Sequence, residues 1–189
     1  MVGTPILIAF GANIDPVENL HRGLTLLHRM IGIAAISTVW RTPPLPDPEF
    51  PGRDGEGADY RNGVALLGPG GRSFRPLELR TILRDIEDRC GRRRGPRRHA
   101  PRTLDLDIVM MGSLVFAEDG LVLPDPELTS RPFLVLPCAQ LAPEARHPLL
   151  SATMATLAER CSNETAWMTP DHEATRRLAL IMKRMDGVP

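Results

Sequence analysis

Two aspartates separated by one residue are the first candidates for chemistry in this chain. Asp105 and Asp107 lie in the segment Leu104–Met111, where polar residues alternate with apolar ones as in a half-buried strand. Residues two apart on a strand point the same way, about 6–7 Å apart at Cα. Two carboxylates this close repel each other unless a cation lies between them, and oxygen ligands favour Mg²⁺. The same pattern also occurs on solvated sheet faces, so the pair alone leaves both interpretations open.

An arginine-rich segment comes directly before this strand. It contains seven arginines between positions 89 and 102: Arg89, Arg92, Arg93, Arg94, Arg97, Arg98 and Arg102. Interspersed glycines and prolines make the segment a loop. Arginine binds phosphate oxygens through two donors, and Mg²⁺ can bridge the same oxygens from the carboxylate side, so a polyphosphate site is the economical interpretation. The alternatives are a solvated basic loop and an RNA-binding loop, and the low aromatic content of 4% argues against RNA.

A second pair of residues suits a flat heterocycle. Tyr60 and Asn62 lie two apart at the start of a predicted strand. The tyrosine ring can stack on such a ligand, while the amide can bind donors and acceptors on its edge. On its own the pair is equally compatible with ordinary packing at the start of a strand.

Composition excludes several function classes. The chain has 189 residues, with 23 basic and 23 acidic ones, and all the basic residues except Lys183 are arginine. A P-loop or a Schiff-base lysine in the folded body is therefore excluded. Zero net charge argues against bulk attraction to nucleic acid or membranes. Three widely spaced cysteines without a CxxC pair indicate a reducing compartment, and we expect a cytoplasmic monomer.

Hydrophobic periodicity predicts the elements that hold these residues. The first part of the chain has the order βαββαβ, with strands at 6–10, 34–40, 60–67 and 104–111 and helices at 16–30 and 76–90. This order indicates an α+β fold with a ferredoxin-like core and a mostly antiparallel sheet. In the last strand, Leu104, Leu106, Ile108 and Met110 are expected on one face, opposite the aspartates and Val109. A hairpin (114–116 and 121–123) and helices near 132–141, 151–161 and 168–189 follow.

Four motifs in this order resemble one known family. They are Trp40–Leu45 (WRTPPL), Asp59-Tyr60-x-Asn62, Glu87-x-x-x-Gly91-Arg92 and, above all, Pro101–Ile108 (PRTLDLDI). Together they are similar to the 6-hydroxymethyl-7,8-dihydropterin pyrophosphokinases of folate biosynthesis. The resemblance extends to about residue 165, so we expect a pyrophosphokinase domain at 1–166 and a helical C-terminal extension at 167–189. It implies the ferredoxin-like fold and transfer of pyrophosphate from ATP to the pterin hydroxymethyl group, with AMP as the other product.

The resemblance also implies roles for individual residues. Asp105 and Asp107 would hold two Mg²⁺ ions, and Arg92 and Arg102 would be catalytic by stabilising charge on the transferring phosphates. The implied ATP-binding residues are Glu87, Arg94, Ile108 and Arg131. The implied pterin-binding residues are Thr42, Pro43, Leu45, Tyr60, Asn62 and Phe133, with Phe133 stacking opposite Tyr60.

Two positions depart from the family pattern. His99 stands where the family has an aromatic, often Trp, and Asp125 stands where it has His. A carboxylate at 125 would repel ATP unless it turns away or meets an arginine. A diverged enzyme with weak activity, or with another reduced pterin as substrate, is therefore an alternative, and a ferredoxin-like RNA-binding domain is a remote one.

Overall fold

The protein is described by a computed structural model that covers residues 5–44, 57–68, 74–94, 100–161 and 165–185. In chain order its elements are β1 (Ile6–Ala12), α1 (Pro16–Met30), β2 (Ile33–Ile36), β3 (Trp40–Thr42), β4 (Tyr60–Leu67), α2 (Pro76–Arg89), β5 (Asp105–Met111), β6 (Phe116–Glu118), β7 (Leu121–Leu123), a 3-10 turn (Pro126–Thr129), α3 (Pro132–Leu141), α4 (Met154–Cys161), β8 (Thr169–Pro170) and α5 (His172–Met185). Each described helix is too short or too polar to traverse a lipid bilayer.

The main sheet is antiparallel, in the order β5-β1-β4-β3-β8, with β2 also paired to β4. Strands β5, β1 and β4 lie side by side, and β2 and β3 together take the place of the next strand. This is the strand order of a ferredoxin-like βαββαβ unit. The predicted α+β fold is therefore confirmed. Helices α1, α2 and α5 cover one face of the sheet over a first core, which includes Leu24, Leu83 and Leu178. Helices α3 and α4 cover part of the other face over a second core, which includes Val135 and Leu157.

The predicted strand at 34–40 is wrong as one continuous element, because regular strand structure is interrupted between β2 and β3. The Ser37 hydroxyl accepts a hydrogen bond from the Val64 N–H (2.9 Å), in place of a backbone carbonyl of the ladder. The next two N–H groups donate to side chains from distant elements, Thr38 to Gln140 Oε1 and Val39 to Thr175 Oγ1, both at 2.8 Å. Such long-range partners are invisible to local periodicity, which therefore predicts an unbroken strand.

A β-bulge corrects the predicted faces of β5. Leu7 pairs with Met110 while Ile8 pairs with Ile108, so Val109 is an extra residue in the strand. Alternation is lost at this point, and both Val109 and Met110 lie in the second core. Met110 was expected on the same face as Ile108, and this expectation is wrong. The predicted faces of Leu106, Ile108 and the two aspartates agree with the structure.

The hairpin forms, but its first strand begins later than periodicity predicts. Phe116–Glu118 pairs with Leu121–Leu123. The two connecting residues, Asp119 and Gly120, both have positive φ (51° and 74°), as the tight hairpin turns of type I′ require. The turn sequence fixes which residues pair across the hairpin. The first strand therefore begins at Phe116, two residues after the start of the apolar run at Leu114.

The segment after α4 is held to the sheet by an ion pair. Asp171 lies directly before α5, where its Oδ1 accepts from the Ala174 N–H (3.0 Å) and its Oδ2 pairs with Arg61 Nε (2.8 Å). Burial acts to raise the pKa of Asp171, but the Ala174 hydrogen bond and the Arg61 guanidinium outweigh it, so the pKa is lowered. This carboxylate therefore stabilises the fold only while it is ionised.

Acidification should remove this contribution, and Asp171→Asn should remove its pH dependence. Because the folded-state pKa is lowered, the stabilisation is present above the unfolded pKa of about 3.9 and is lost as the pH falls through the folded-state value. At pH 7 we expect Asp171→Asn to lower the free energy of unfolding by about 1–2 kcal/mol, because asparagine keeps the hydrogen bond but not the charge. Urea titrations at pH 7 and pH 3 test this, and an equal difference at both pH values would contradict it.

Candidate active site

A cavity of about 510 Å³ lies over the sheet face that α3 and α4 leave uncovered. Its floor is formed by the ends of β1, β4 and β5, and its rim includes the β6–β7 turn and the 3-10 turn. Nine residues predicted for the site line it together: Thr42, Pro43, Tyr60, Asn62, Arg102, Asp105, Asp107, Ile108 and Phe133. Sequence motifs that are up to 91 positions apart therefore meet in one place.

Three residues form a row across the floor of this cavity. In the antiparallel register Gly11 of β1 pairs with Asn62 of β4 on one side and with Asp105 of β5 on the other. Directly opposed Cα atoms are about 4.5–5.5 Å apart, so the amide and the carboxylate side chains start about 10 Å from each other. The central glycine keeps the space between them open. A Cβ at Gly11 would lie 2.5 Å from Asn62 Oδ1, which is closer than van der Waals contact allows.

The two aspartates have different environments. Asp105 pairs with the guanidinium groups of Arg92 (3.2 Å) and Arg102. Asp107 is exposed to the cavity and has no ion-pair partner among the described residues. The surrounding protein excludes bulk water from most directions, and this desolvation, with repulsion from Asp105, Glu87 and Asp125, raises the pKa of Asp107 to about 7. The site thus concentrates negative charge, which a bound cation would stabilise.

Arg102 is the most firmly positioned arginine of the site. Its backbone N–H donates to Asn13 Oδ1 (2.7 Å), and its carbonyl accepts from the N–H groups of Asn13 and Ile14 (3.1 and 3.2 Å). Its guanidinium contacts Asp105 and lies 5.9 Å from the centroid of the Tyr60 ring. The arginine therefore touches both the acidic side of the cavity and its aromatic side.

Asn13 and Gly11 were missed by sequence reasoning. Asn13 is 5% exposed, and besides accepting from Arg102 it donates to the Ala58 carbonyl (3.3 Å). It thereby links the segment before β5 to the segment before β4. The signal available in the sequence was the polar residue that follows the small residues Gly11 and Ala12 at the end of a buried strand.

Two residues predicted to bind ATP, Glu87 and Arg94, and the predicted catalytic residue Arg92 lie behind the lining of the cavity. Glu87 is 5% exposed, accepts from the Leu106 N–H (2.9 Å) and pairs with Arg94, and burial is the main reason that its pKa is raised. Arg94 also pairs with Asp88 (2.6 Å). Arg92 donates to the Leu104 carbonyl (3.2 Å) in addition to its contact with Asp105. These contacts hold the start of β5 and the segment after α2 together.

The remaining predicted residues are distributed as follows. Arg131 lies outside the cavity lining and pairs with Glu127 (3.3 Å). Phe133 lines the cavity, and its ring packs edge-to-face on Trp167 (centroids 6.1 Å apart). Asn62 Nδ2 donates to Thr42 Oγ1 (2.8 Å), so two predicted pterin residues also fix each other. Leu45 and His99 lie outside the described residues.

Asp125 lies in the cavity lining, close enough to Asp107 to raise its pKa. One of its carboxylate oxygens is used locally, since Oδ1 accepts from the Glu127 N–H (2.7 Å) at the start of the 3-10 turn. Its own N–H donates to the carbonyl of the bulge residue Val109 (2.8 Å). Among the described residues, no group of three or more His, Cys, Asp or Glu side chains has a geometry that could hold a metal ion by itself.

Comparison with known proteins identifies the family. The model of the 7,8-dihydro-6-hydroxymethylpterin-pyrophosphokinase (HPPK) family matches residues 7–143. A 2-amino-4-hydroxy-6-hydroxymethyldihydropteridine pyrophosphokinase of Synechocystis is 31% identical over 164 residues, which cover 85% of this chain and 78% of the relative. Its counterpart in Pseudomonas aeruginosa is 32% identical over 146 residues, covering 76% of this chain and 83% of the relative.

Solved structures support the fold. The wild-type HPPK-DHPS protein of Plasmodium falciparum superposes with a TM-score of 0.64 at 13% identity, over 85% of this chain and 44% of that protein. This chain thus spans less than half the length of the structure that it matches. The matched family model, the relatives and the geometry of the cavity agree. The chain belongs to the 7,8-dihydro-6-hydroxymethylpterin-pyrophosphokinase family.

Proposed function

We propose that this chain transfers pyrophosphate from ATP to the hydroxymethyl group of 6-hydroxymethyl-7,8-dihydropterin, releasing AMP, as a step of folate biosynthesis. The observation that carries the proposal is the row Asn62–Gly11–Asp105 across one cavity floor. It joins a side suited to a flat heterocycle to a side suited to phosphates and a divalent cation.

The β4 side of the cavity has the chemistry that a pterin requires. Tyr60 and Phe133 supply aromatic surface, and the Asn62 amide supplies a donor and an acceptor. The contact with Thr42 fixes the orientation of that amide. A pterin bound between the two rings, with its polar edge on Asn62, would extend its hydroxymethyl group along the floor toward Asp105.

The β5 side fits Mg²⁺ and polyphosphate. Asp105 and Asp107 offer oxygen ligands on one strand face, and the raised pKa of Asp107 reflects its desolvation and the neighbouring negative charge, which a cation would neutralise. Mg²⁺ commonly uses one or two carboxylates and completes its shell with water and substrate phosphates, so two protein ligands are sufficient. When bound, two Mg²⁺ ions would supply positive charge beside the ATP phosphates and the attacking hydroxyl, which lowers the pKa of that hydroxyl.

The arginines would then complete the neutralisation of charge. Phosphoryl transfer demands in-line positioning and stabilisation of charge on the transferring group more than covalent chemistry. In the described structure Arg92 and Arg102 are paired with Asp105, so a cation on Asp105 would free both guanidinium groups for phosphate oxygens. Arg94 and Arg131 would reach the ATP phosphates by exchanging their present carboxylate partners.

The product of ATP decides the reaction class. Purified protein is incubated with ATP, MgCl₂ and 6-hydroxymethyl-7,8-dihydropterin, and nucleotides are separated by chromatography. We expect AMP that depends on both the pterin and Mg²⁺. Formation of ADP would indicate transfer of one phosphoryl group, and AMP formed without pterin would indicate hydrolysis. Either result would contradict the proposal. Binding of RNA that does not depend on ATP and falls steeply with salt would favour the RNA-binding alternative.

Replacing Gly11 should weaken pterin binding specifically. The Cβ of Gly11→Ala would collide with Asn62 Oδ1 and push the amide away from Thr42. We expect the Kd for the pterin to rise about tenfold or more, the cost of losing roughly one well-placed hydrogen bond. Calorimetric titration measures it. In an Asn62→Ala background the same substitution should have little further effect, and full additivity of the two changes would contradict this explanation.

Asp125 supports a second candidate, a diverged enzyme with weakened activity. Its carboxylate adds negative charge beside Asp107, where ATP phosphates are expected. Asp125→Asn keeps the acceptor for the Glu127 N–H and removes only the charge. We expect the KM for ATP to fall about two- to fivefold, and Asp125→His to raise turnover as well. Asp125→Ala, which removes charge and acceptor together, separates the two effects. Unchanged kinetics in all three variants would count against a role for this charge.

The assignment of 1–166 as catalytic domain, the monomeric state and the cytoplasmic location stay predictions from the sequence.

A further inference from the structure

The C-terminal segment 165–185 has no role in the function proposed so far, yet it is attached to the pterin side of the cavity. Its first attachment is at the break between β2 and β3. The Val39 N–H donates to Thr175 Oγ1 and the Val39 carbonyl accepts from the Asp171 N–H, both at 2.8 Å. Both backbone groups of this buried residue are therefore satisfied by the C-terminal segment.

This attachment continues along β3 toward the pterin residues. Strand β8 pairs with β3, with Trp40 opposite Pro170 and Arg41 opposite Thr169. The next residue, Thr42, is 3% exposed and accepts the hydrogen bond from Asn62. The C-terminal segment thus forms the edge of the sheet next to Thr42.

The second attachment is to β4. The Arg61–Asp171 pair is largely buried, with side chains 17% and 15% exposed. Arg61 lies between Tyr60 and Asn62, and because side chains alternate along a strand it projects from the opposite face. The ion pair therefore holds, from behind, the strand whose front presents both residues to the cavity.

The third attachment is to Phe133 at the start of α3. Trp167 packs edge-to-face against its ring at 6.1 Å, with the two planes at 82°. Aromatic pairs of this geometry contribute specific stabilisation beyond the area they bury. The segment thus touches each described element that carries a predicted pterin residue.

We propose that segment 165–185 is a clamp that positions the pterin-binding side of the cavity, with Thr175, Asp171 and Trp167 as its positioning residues. This inference rests on the proposed function, because it takes the β4 side to be the pterin side. The clamp acts through Thr42, Asn62 and Phe133 and touches no substrate itself. A loosened clamp lowers the fraction of molecules whose pterin side is correctly formed, and the apparent affinity falls by that fraction.

Two variants test separate attachments. Thr175→Val keeps the shape of the side chain but removes the acceptor for Val39, and Trp167→Leu removes the aromatic contact with Phe133. Arg177→Gln in the same helix is the matched control, since Arg177 forms an exposed ion pair with Glu18 (2.9 Å). The Kd of 6-hydroxymethyl-7,8-dihydropterin is measured by titration with saturating α,β-methylene-ATP and Mg²⁺, and the Kd of α,β-methylene-ATP is measured separately.

We expect Thr175→Val and Trp167→Leu each to raise the pterin Kd by about fivefold and to leave the nucleotide Kd within about twofold, while Arg177→Gln changes neither. KM for the pterin should rise more than kcat falls. Circular dichroism melts keep all titrations below the unfolding transition. If both variants bind pterin as the wild type does, or if pterin and nucleotide affinities fall together, the clamp is overturned. A wild type that binds nucleotide but no pterin would overturn the proposed function instead.

Discussion

An Asp107→Asn enzyme should form AMP at least about a thousandfold more slowly than the wild type, since metal and charge stabilisation supply most of the catalysis in phosphoryl transfer. Asparagine has the same shape as aspartate but is a poor ligand for Mg²⁺ without the negative charge. The fold should not suffer, because Asp107 faces the cavity and has no ion-pair partner among the described residues. Desolvation and repulsion from Asp105, Glu87 and Asp125 disfavour the charged form of Asp107, so the Tm should stay constant or rise.

Asp105→Asn is the matched variant, and it should differ in stability. Activity should be lost to a similar degree, but this substitution also leaves Arg92 and Arg102, which are 14% and 13% exposed, without their carboxylate. Removing one partner of a largely buried pair is costly, so Asp105→Asn should melt below the wild type. AMP assays and calorimetric melts of the three proteins test both points. An Asp107→Asn protein that unfolds, or that keeps a tenth or more of the wild-type rate, would contradict the assignment.

Arg102→Ala should lower kcat by a factor on the order of a thousand, the range seen when a guanidinium that stabilises transferring phosphate is lost. The pterin Kd should change far less, because the guanidinium contributes to the pterin side only through its position near the Tyr60 ring. Arg102→Lys keeps the charge but not the two-donor geometry, so its kcat should lie between those of the wild type and Arg102→Ala.

Arg93→Ala is the matched control for Arg102, because Arg93 is a nearby and exposed arginine. Its kcat should stay within about threefold of the wild type, as expected for a solvated surface charge. Rapid-quench measurements of AMP formation separate the chemical step from product release. If Arg102→Ala weakens pterin binding as much as it slows the reaction, the arginine serves ground-state binding, and its assignment as a catalytic residue is wrong.

The sequence predicts the parts of the molecule that depend on local pattern. The βαββαβ order, the bounds of β4 and α3 and the common face of Asp105 and Asp107 follow from periodicity and from the proline and glycine positions. The break at Ser37 does not, because it depends on hydroxyl and amide acceptors from distant elements. Strand β8 has only two residues, one of them proline, and no local signal predicts it.

The structure brings the predicted site residues together to different degrees, for physical reasons. Residues in strands point in fixed directions, so Tyr60, Asn62, Asp105 and Asp107 could be assigned to one cavity once the strands were paired. Long charged side chains choose their partners from the whole fold. The pairing of Arg94 with Glu87, and of Arg131 with Glu127, could therefore not be predicted from their positions in the chain.

The bulge at Val109 limits which changes of chain length β5 can tolerate. Because Val109 and Met110 both lie in the second core, deleting Val109 would restore regular alternation and leave the aspartates and the following methionines on their present faces. Deleting Leu106 instead would put Asp105 and Asp107 on opposite faces of the strand. One of the two carboxylates would then be buried beneath α1 and α2, which would be strongly destabilising. Among functional descendants of this sequence, a shortened β5 should therefore lack Val109 rather than Leu106, which a library of single-residue deletions selected for activity would measure.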